Sequence, residues 1–148
     1  MTHPQTLAQK LYDHFPTSNL KQIKANGCCA FVLLWCMGIE PEDIDAIMTV
    51  DNMIKADVIK PNCIVKWFES VRFLTDRELV KVDFAKINTI HNIKERTPVY
   101  FQKNPDKEGH WVGVENGEIK FNPLKRSVNV EEGRPTEARF LFIKGDIK

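Results

Sequence analysis

Apolar positions in the first half of the chain recur at helical spacing, and in the second half they alternate with polar ones. Leu7, Leu11 and Phe15 stand four apart and predict a helix from about Pro4 to His14, stopped at Pro16-Thr17-Ser18-Asn19. Asn26-Gly27 marks a turn. From Cys28 to Met37 every residue is apolar, and Gly38 follows. That length with a terminal glycine predicts a helix, and one apolar around its whole circumference belongs at the centre of a domain. Pro41-Glu42-Asp43 opens a further helix to about Ala56, with proline and acids in the first turn. Pro61 starts another amphipathic stretch, with Ile64, Trp67, Phe68, Val71 and Leu74 on one helical face.

Beyond residue 78 the period becomes two. Leu79 to Phe84 alternates and predicts a strand. Ile87, Ile90 and Ile93 suggest a short helix, and Pro98 to Phe101 a strand beginning at a proline, where the missing N–H does no harm. His110 to Val114 and Glu118 to Phe121 flank Glu115-Asn116-Gly117, and Asn-Gly between apolar runs is a strong hairpin signal. Phe140 to Ile143 forms a last strand. The expected architecture is α+β: helices first, then a mostly antiparallel sheet, in one domain over residues 1–148.

Composition narrows the partners. Of 148 residues 43% are hydrophobic and 28% charged, and the net charge is +1 with both signs scattered. A nucleic acid or an anionic membrane wants a basic face, so neither is expected. The longest apolar run, Cys28 to Gly38, is about half of the roughly twenty residues that cross a bilayer. No basic, then apolar, leader opens the sequence, so a soluble cytoplasmic protein is expected. The cysteines at 28, 29, 36 and 63 are then free thiols rather than a disulfide framework. They do not make a metal site either: Cys28-Cys29 is not a CxxC pair and no HxxxH supplies the remaining ligands. No cofactor is expected.

Four residues have the chemistry of a nucleophilic site. Cys28 opens the central helix, where unpaired backbone N–H groups and the helix dipole favour a thiolate. His110 opens an apolar strand after Gly109 and is the histidine best placed to serve as base; His3 and His14 belong to the N-terminal segment, and His91 to a connecting segment. Asn122, in Phe121-Asn122-Pro123, ends the strand that returns beside His110, where its side-chain oxygen can hold the imidazole N–H. Gln22, six residues before Cys28, can donate to an oxyanion alongside the Cys28 N–H. Singly, each has an ordinary reading: a small buried hydrophobe, a structural histidine, a loop opener and a surface glutamine.

Their order carries a resemblance. Gln22, five intervening residues, Cys28 and then Cys29-Ala30-Phe31 resemble the nucleophile segment of papain-like cysteine peptidases. There an oxyanion glutamine stands at this spacing, and Cys-aromatic-Ala-Phe opens the central helix. Gly109 to Val114, the hairpin and Phe121-Asn122-Pro123 resemble the compact bacterial branch that includes the bacteriocin-processing leader peptidases. The likeness spans about Gln22 to Phe142. It implies Cys28 as nucleophile, His110 as base, Asn122 as the orienting residue and Gln22 as the oxyanion donor. The implied activity is peptidase or amidase, cleaving a peptide or protein through a thioester, with Cys28 alkylated fastest because its pKa is depressed.

Two positions depart from the pattern. Cys29 stands where papain-like enzymes have tryptophan and the bacterial branch has glycine, and Phe31 replaces that branch's small residue. A second thiol can oxidise, compete, or itself be the nucleophile. The rival reading is an inactive binding or scaffold protein of the same fold; a third is a redox role for the Cys28-Cys29 pair.

Overall fold

The computed structural model describes residues 1–145. Helix α1 covers Pro4–His14, α2 Ser18–Asn26, α3 Cys28–Cys36, α4 Asp43–Lys55 and α5 Trp67–Thr75. Strands β1 (Leu79–Lys86), β2 (Thr97–Gln102), β3 (His110–Glu115) and β4 (Glu118–Phe121) follow, then the one-turn helix α6 (Val128–Glu131) and β5 (Arg134–Ile143). The strands form one sheet ordered β1-β5-β2-β3-β4, antiparallel at every pairing. The architecture is α+β, and no helix among the described residues is long and apolar enough to cross a membrane.

Helix α3 is the centre of the helical layer. Ala30 through Leu34 are fully buried, joined by Ala8, Ile23, Val50, Met53 and Val71 from the surrounding helices. Gly38 ends the helix as expected, at φ +75°, and Ile39 N–H returns to the Leu34 carbonyl. Arg96 secures this end against the sheet. Its guanidinium donates to the Trp35 carbonyl at 2.8 Å and lies 4.3 Å from the Trp35 ring centroid. Trp35 in turn stacks on Phe121 and fills the space above Gly113, where a Cβ would stand only 2.5 Å from its ring.

The start of α3 differs from the expected turn. Gly27 takes right-handed helical angles, its N–H bonds to the Ile23 carbonyl, and Phe31 N–H bonds to its own carbonyl. An unforeseen helix, α2, therefore runs almost directly into α3. Thr17 caps it, its hydroxyl accepting from Leu20 N–H. The helix expected from Pro61 starts only at Trp67. Before it, Ile59 pairs with Val65 around a tight loop in which Cys63 N–H reaches the Lys60 carbonyl. Ile64 and Phe68 are exposed rather than part of one buried face.

No helix forms over Ile87, Ile90 and Ile93. The hairpin turn, with Asn116 at φ 52° and Gly117 at φ 75°, donates its N–H groups to the Lys94 and Ile93 carbonyls, and so holds that segment as an irregular strap. The three isoleucines pack with Val99, Phe101, Val112, Val114 and Ala138 in a second core cluster of the sheet.

Candidate active site

Asn122 is held before it holds anything else. Its carbonyl accepts from the His3 Nδ1–H at 3.0 Å, and Gln5 N–H donates to the neighbouring Pro123 carbonyl. Lys125 N–H reaches the Thr6 hydroxyl, so the first turn of α1 is strapped over the Asn-Pro corner. The side-chain oxygen of Asn122 also accepts from Leu124 N–H at 3.0 Å. Because that partner is a donor, it is the amide oxygen and not the nitrogen that faces the backbone there.

The same oxygen lies 2.7 Å from His110 Nε2. An amide oxygen only accepts, so Nε2 carries the proton and, in the neutral ring, Nδ1 keeps its lone pair. His110 is 4% exposed. Burial pushes its pKa below the ordinary histidine value, while the hydrogen bond to Asn122 pulls the other way. The ring is thus neutral at pH 7, oriented, and basic at Nδ1.

Cys28 reaches the same strand one residue further on. The backbone N–H groups of Trp111, Cys29 and Cys28 face its sulfur and favour a thiolate. Burial outweighs them, and Glu108 adds to it, so the pKa is raised above that of a free thiol. The depressed pKa expected from the helix N-terminus is therefore not found. Removing the sulfur from water costs more than the backbone dipoles return. Among the described residues the thiol and the imidazole are not hydrogen-bonded to each other. Cys29 is raised further, by burial and by the neighbouring Cys28, although Arg139 opposes the shift. As a nucleophile it is the worse of the two.

A cleft of about 410 Å³ opens at Cys28, lined by Asn26, Cys29, Cys63, Tyr100, Glu108, Gly109, Trp111 and Arg139, among others; His110 and Asn122 lie behind it and are not among its lining residues. Cys63 stands there at φ +66°, its thiol pushed up to about 12 by burial and by proximity to Cys28. Tyr100 supports the wall, its hydroxyl taking the Gly109 N–H and its ring tilted against Trp111 at 4.9 Å between centroids. Gln22 is not among the residues lining the cleft. Because Gly27 continues the helix, Gln22 lies on α2, where its Oε1 accepts from Asn26 Nδ2 at 3.0 Å. The side-chain amides that do line the cleft are those of Asn26 and Asn62, and of the two Asn26 stands next to α3. Reading Asn26-Gly27 as a turn concealed this; a helix running through Gly27 would have pointed to Asn26. No cluster of metal-ligating side chains occurs among the described residues.

Comparison of the chain with protein-family models, with curated proteins and with solved structures found no match in any of the three.

Proposed function

We propose that this chain is a cysteine-nucleophile hydrolase of the papain-like kind, a peptidase or amidase in which Cys28 attacks an amide carbonyl. The observation that carries the reading is the His110–Asn122 bond: a buried imidazole in a fixed tautomer, on the strand that the Cys28 sulfur faces.

Both groups are neutral at rest. His110 Nδ1 takes the thiol proton as substrate displaces water from the cleft, and sulfur forms a bond to the carbonyl carbon. The imidazolium returns the proton to the leaving amine, giving a thioester. Water, deprotonated by the same ring, then releases a carboxylic acid and restores the thiol. Asn26 Nδ2 is the side-chain donor for the oxyanion: one of its protons is held by Gln22 Oε1, which leaves the other for the cleft. Gln22 becomes a positioning residue. Asn26→Ala is expected to lower kcat on an activated ester by about 10²-fold, the usual worth of one such donor. Gln22→Ala should cost less, and an order reversed between the two would return the role to Gln22. The free thiols support a reducing compartment, a peptide or protein is the expected substrate, and the whole chain is taken as one domain.

A specific observation favours the alternative, a papain-like binding protein without activity: Cys28 is buried, its pKa is raised and it is not bonded to the base. Alkylation by a fluorophosphonate-free electrophile panel, such as acyloxymethyl ketones and chloroacetamides, separates the two. The hydrolase reading expects Cys28 labelling to fall at least tenfold in His110→Ala at pH 7, since base-assisted attack is lost. Equal rates in the two proteins would establish the inactive reading.

A further inference from the structure

We propose that the Arg139 end of this cleft binds a carboxylate, so that the molecule drawn to Cys28 carries an anionic group next to the bond presented to the sulfur. The binding claim stands on the cleft alone; only its consequence for substrate choice rests on the hydrolase reading.

Arg139 comes from the middle of β5. Its guanidinium lies between two rings, 4.1 Å from the Phe84 centroid and 5.0 Å from that of Trp111. This stack holds a planar, permanently charged group in one orientation, with its donating edge left to find partners. The side chain is only 13% exposed. Two of its N–H bonds are used, one to the Ala138 carbonyl at 3.3 Å and one to Glu137 at 3.1 Å. The rest have no acceptor among the described residues. Glu137 is 39% exposed, three times as open to water as its partner, so solvent screens part of its charge. A guanidinium withdrawn from water with donors to spare is a carboxylate site, because charge-assisted, bidentate bonds are the strong ones.

Glu108 supplies direction. It lies in the same cleft and bears on Cys28, whereas Arg139 bears on Cys29. The cleft lining thus carries both signs of charge, and an anion is drawn toward Arg139 and repelled by Glu108. An acidic side chain or a free C-terminal carboxylate satisfies this chemistry equally.

The test compares alkylation by iodoacetate and iodoacetamide at Cys28 and Cys29, with each site resolved by tandem mass spectrometry, on the intact chain. The ratio of the two rates cancels differences in thiol ionisation. Arg139→Gln is expected to lower the iodoacetate-to-iodoacetamide ratio about tenfold, the worth of one charge-assisted bond. Glu137→Gln, which leaves the ring stack intact, is expected to raise it. A ratio unmoved in both variants overturns the proposal. Protection of the thiols by an acetylated glutamyl peptide amide, against that by a peptide with a free C-terminus, tells which source of carboxylate is preferred; protection by neither also overturns it. These readouts need no turnover, so a chain that prefers carboxylates yet hydrolyses nothing loses the hydrolase reading and keeps this one.

Discussion

His110→Ala is expected to lower kcat/KM for amide or activated-ester hydrolysis by about 10²–10⁴-fold, the usual contribution of a positioned acid-base group. The pH profile carries more information than the rate. To act as the proposed base the ring must be neutral, and burial lowers its pKa from the ordinary 6.5. The acid limb of kcat/KM should therefore fall below pH 6.5. Asn122→Leu removes the one interaction that raises that pKa, so the limb should move further down even as the rate drops with the ring's orientation. A purely structural Asn122 would change the rate and leave the limb where it was. The same shift sets a stability trend. The unfolded ring takes up a proton near pH 6.5 while the folded one resists it, so stability present above that pH is lost as pH falls through the folded pKa. In wild type Tm should decline as the pH falls below the ordinary histidine range, and His110→Gln should flatten that part of the curve. A His110→Ala protein within threefold of wild type on every substrate tried would remove the histidine from the proposed mechanism.

Gly113→Leu is expected to cost about 3 kcal/mol, at the upper end of what overpacking a core does. Even the first added carbon would stand 2.5 and 2.6 Å from two atoms of the Trp35 ring, which is 4% exposed and has little room to retreat. Trp35 is stacked on Phe121 and covered by Arg96, so it cannot move without loosening β4 and the end of α3 as well. Trp35→Phe in the Gly113→Ala background should recover part of the loss, because the smaller ring leaves room for the methyl group. Chemical denaturation of the single and double variants measures this coupling. If Gly113→Leu and wild type unfold at the same urea concentration, the close approach of α3 to β3 is wrong.

Much of the frame was legible. The all-apolar run from Cys28 with Gly38 behind it named the central helix, in which seven of nine residues are buried while the backbone satisfies its own hydrogen bonds. Asn116-Gly117 named the hairpin because both residues tolerate positive φ, and the hairpin's register implied that Asn122 returns to His110. The segments misread were those governed by distant partners. Ile87, Ile90 and Ile93 have helical spacing, yet the two ends of the segment are held from afar, Ile87 N–H by the Thr136 carbonyl of β5 and the Ile93 carbonyl by Gly117 N–H of the hairpin turn. Pro61 has helix-start character, yet Lys60 and Ile64 close a loop first.

The site divides along the same line. Local pattern determined the α+β layout, the strand bearing His110, the return of Asn122 and the helix that Cys28 begins, because each depends on residues near in sequence. Tertiary structure alone decided that His3, Gln5 and Thr6 hold the Asn-Pro corner, that Arg139 enters the cleft between Phe84 and Trp111, and that Asn26 rather than Gln22 lines it. It also decided the charge state. A helix N-terminus promises a thiolate at Cys28, but the cost of taking the sulfur out of water depends on everything packed around it, and here that cost prevails.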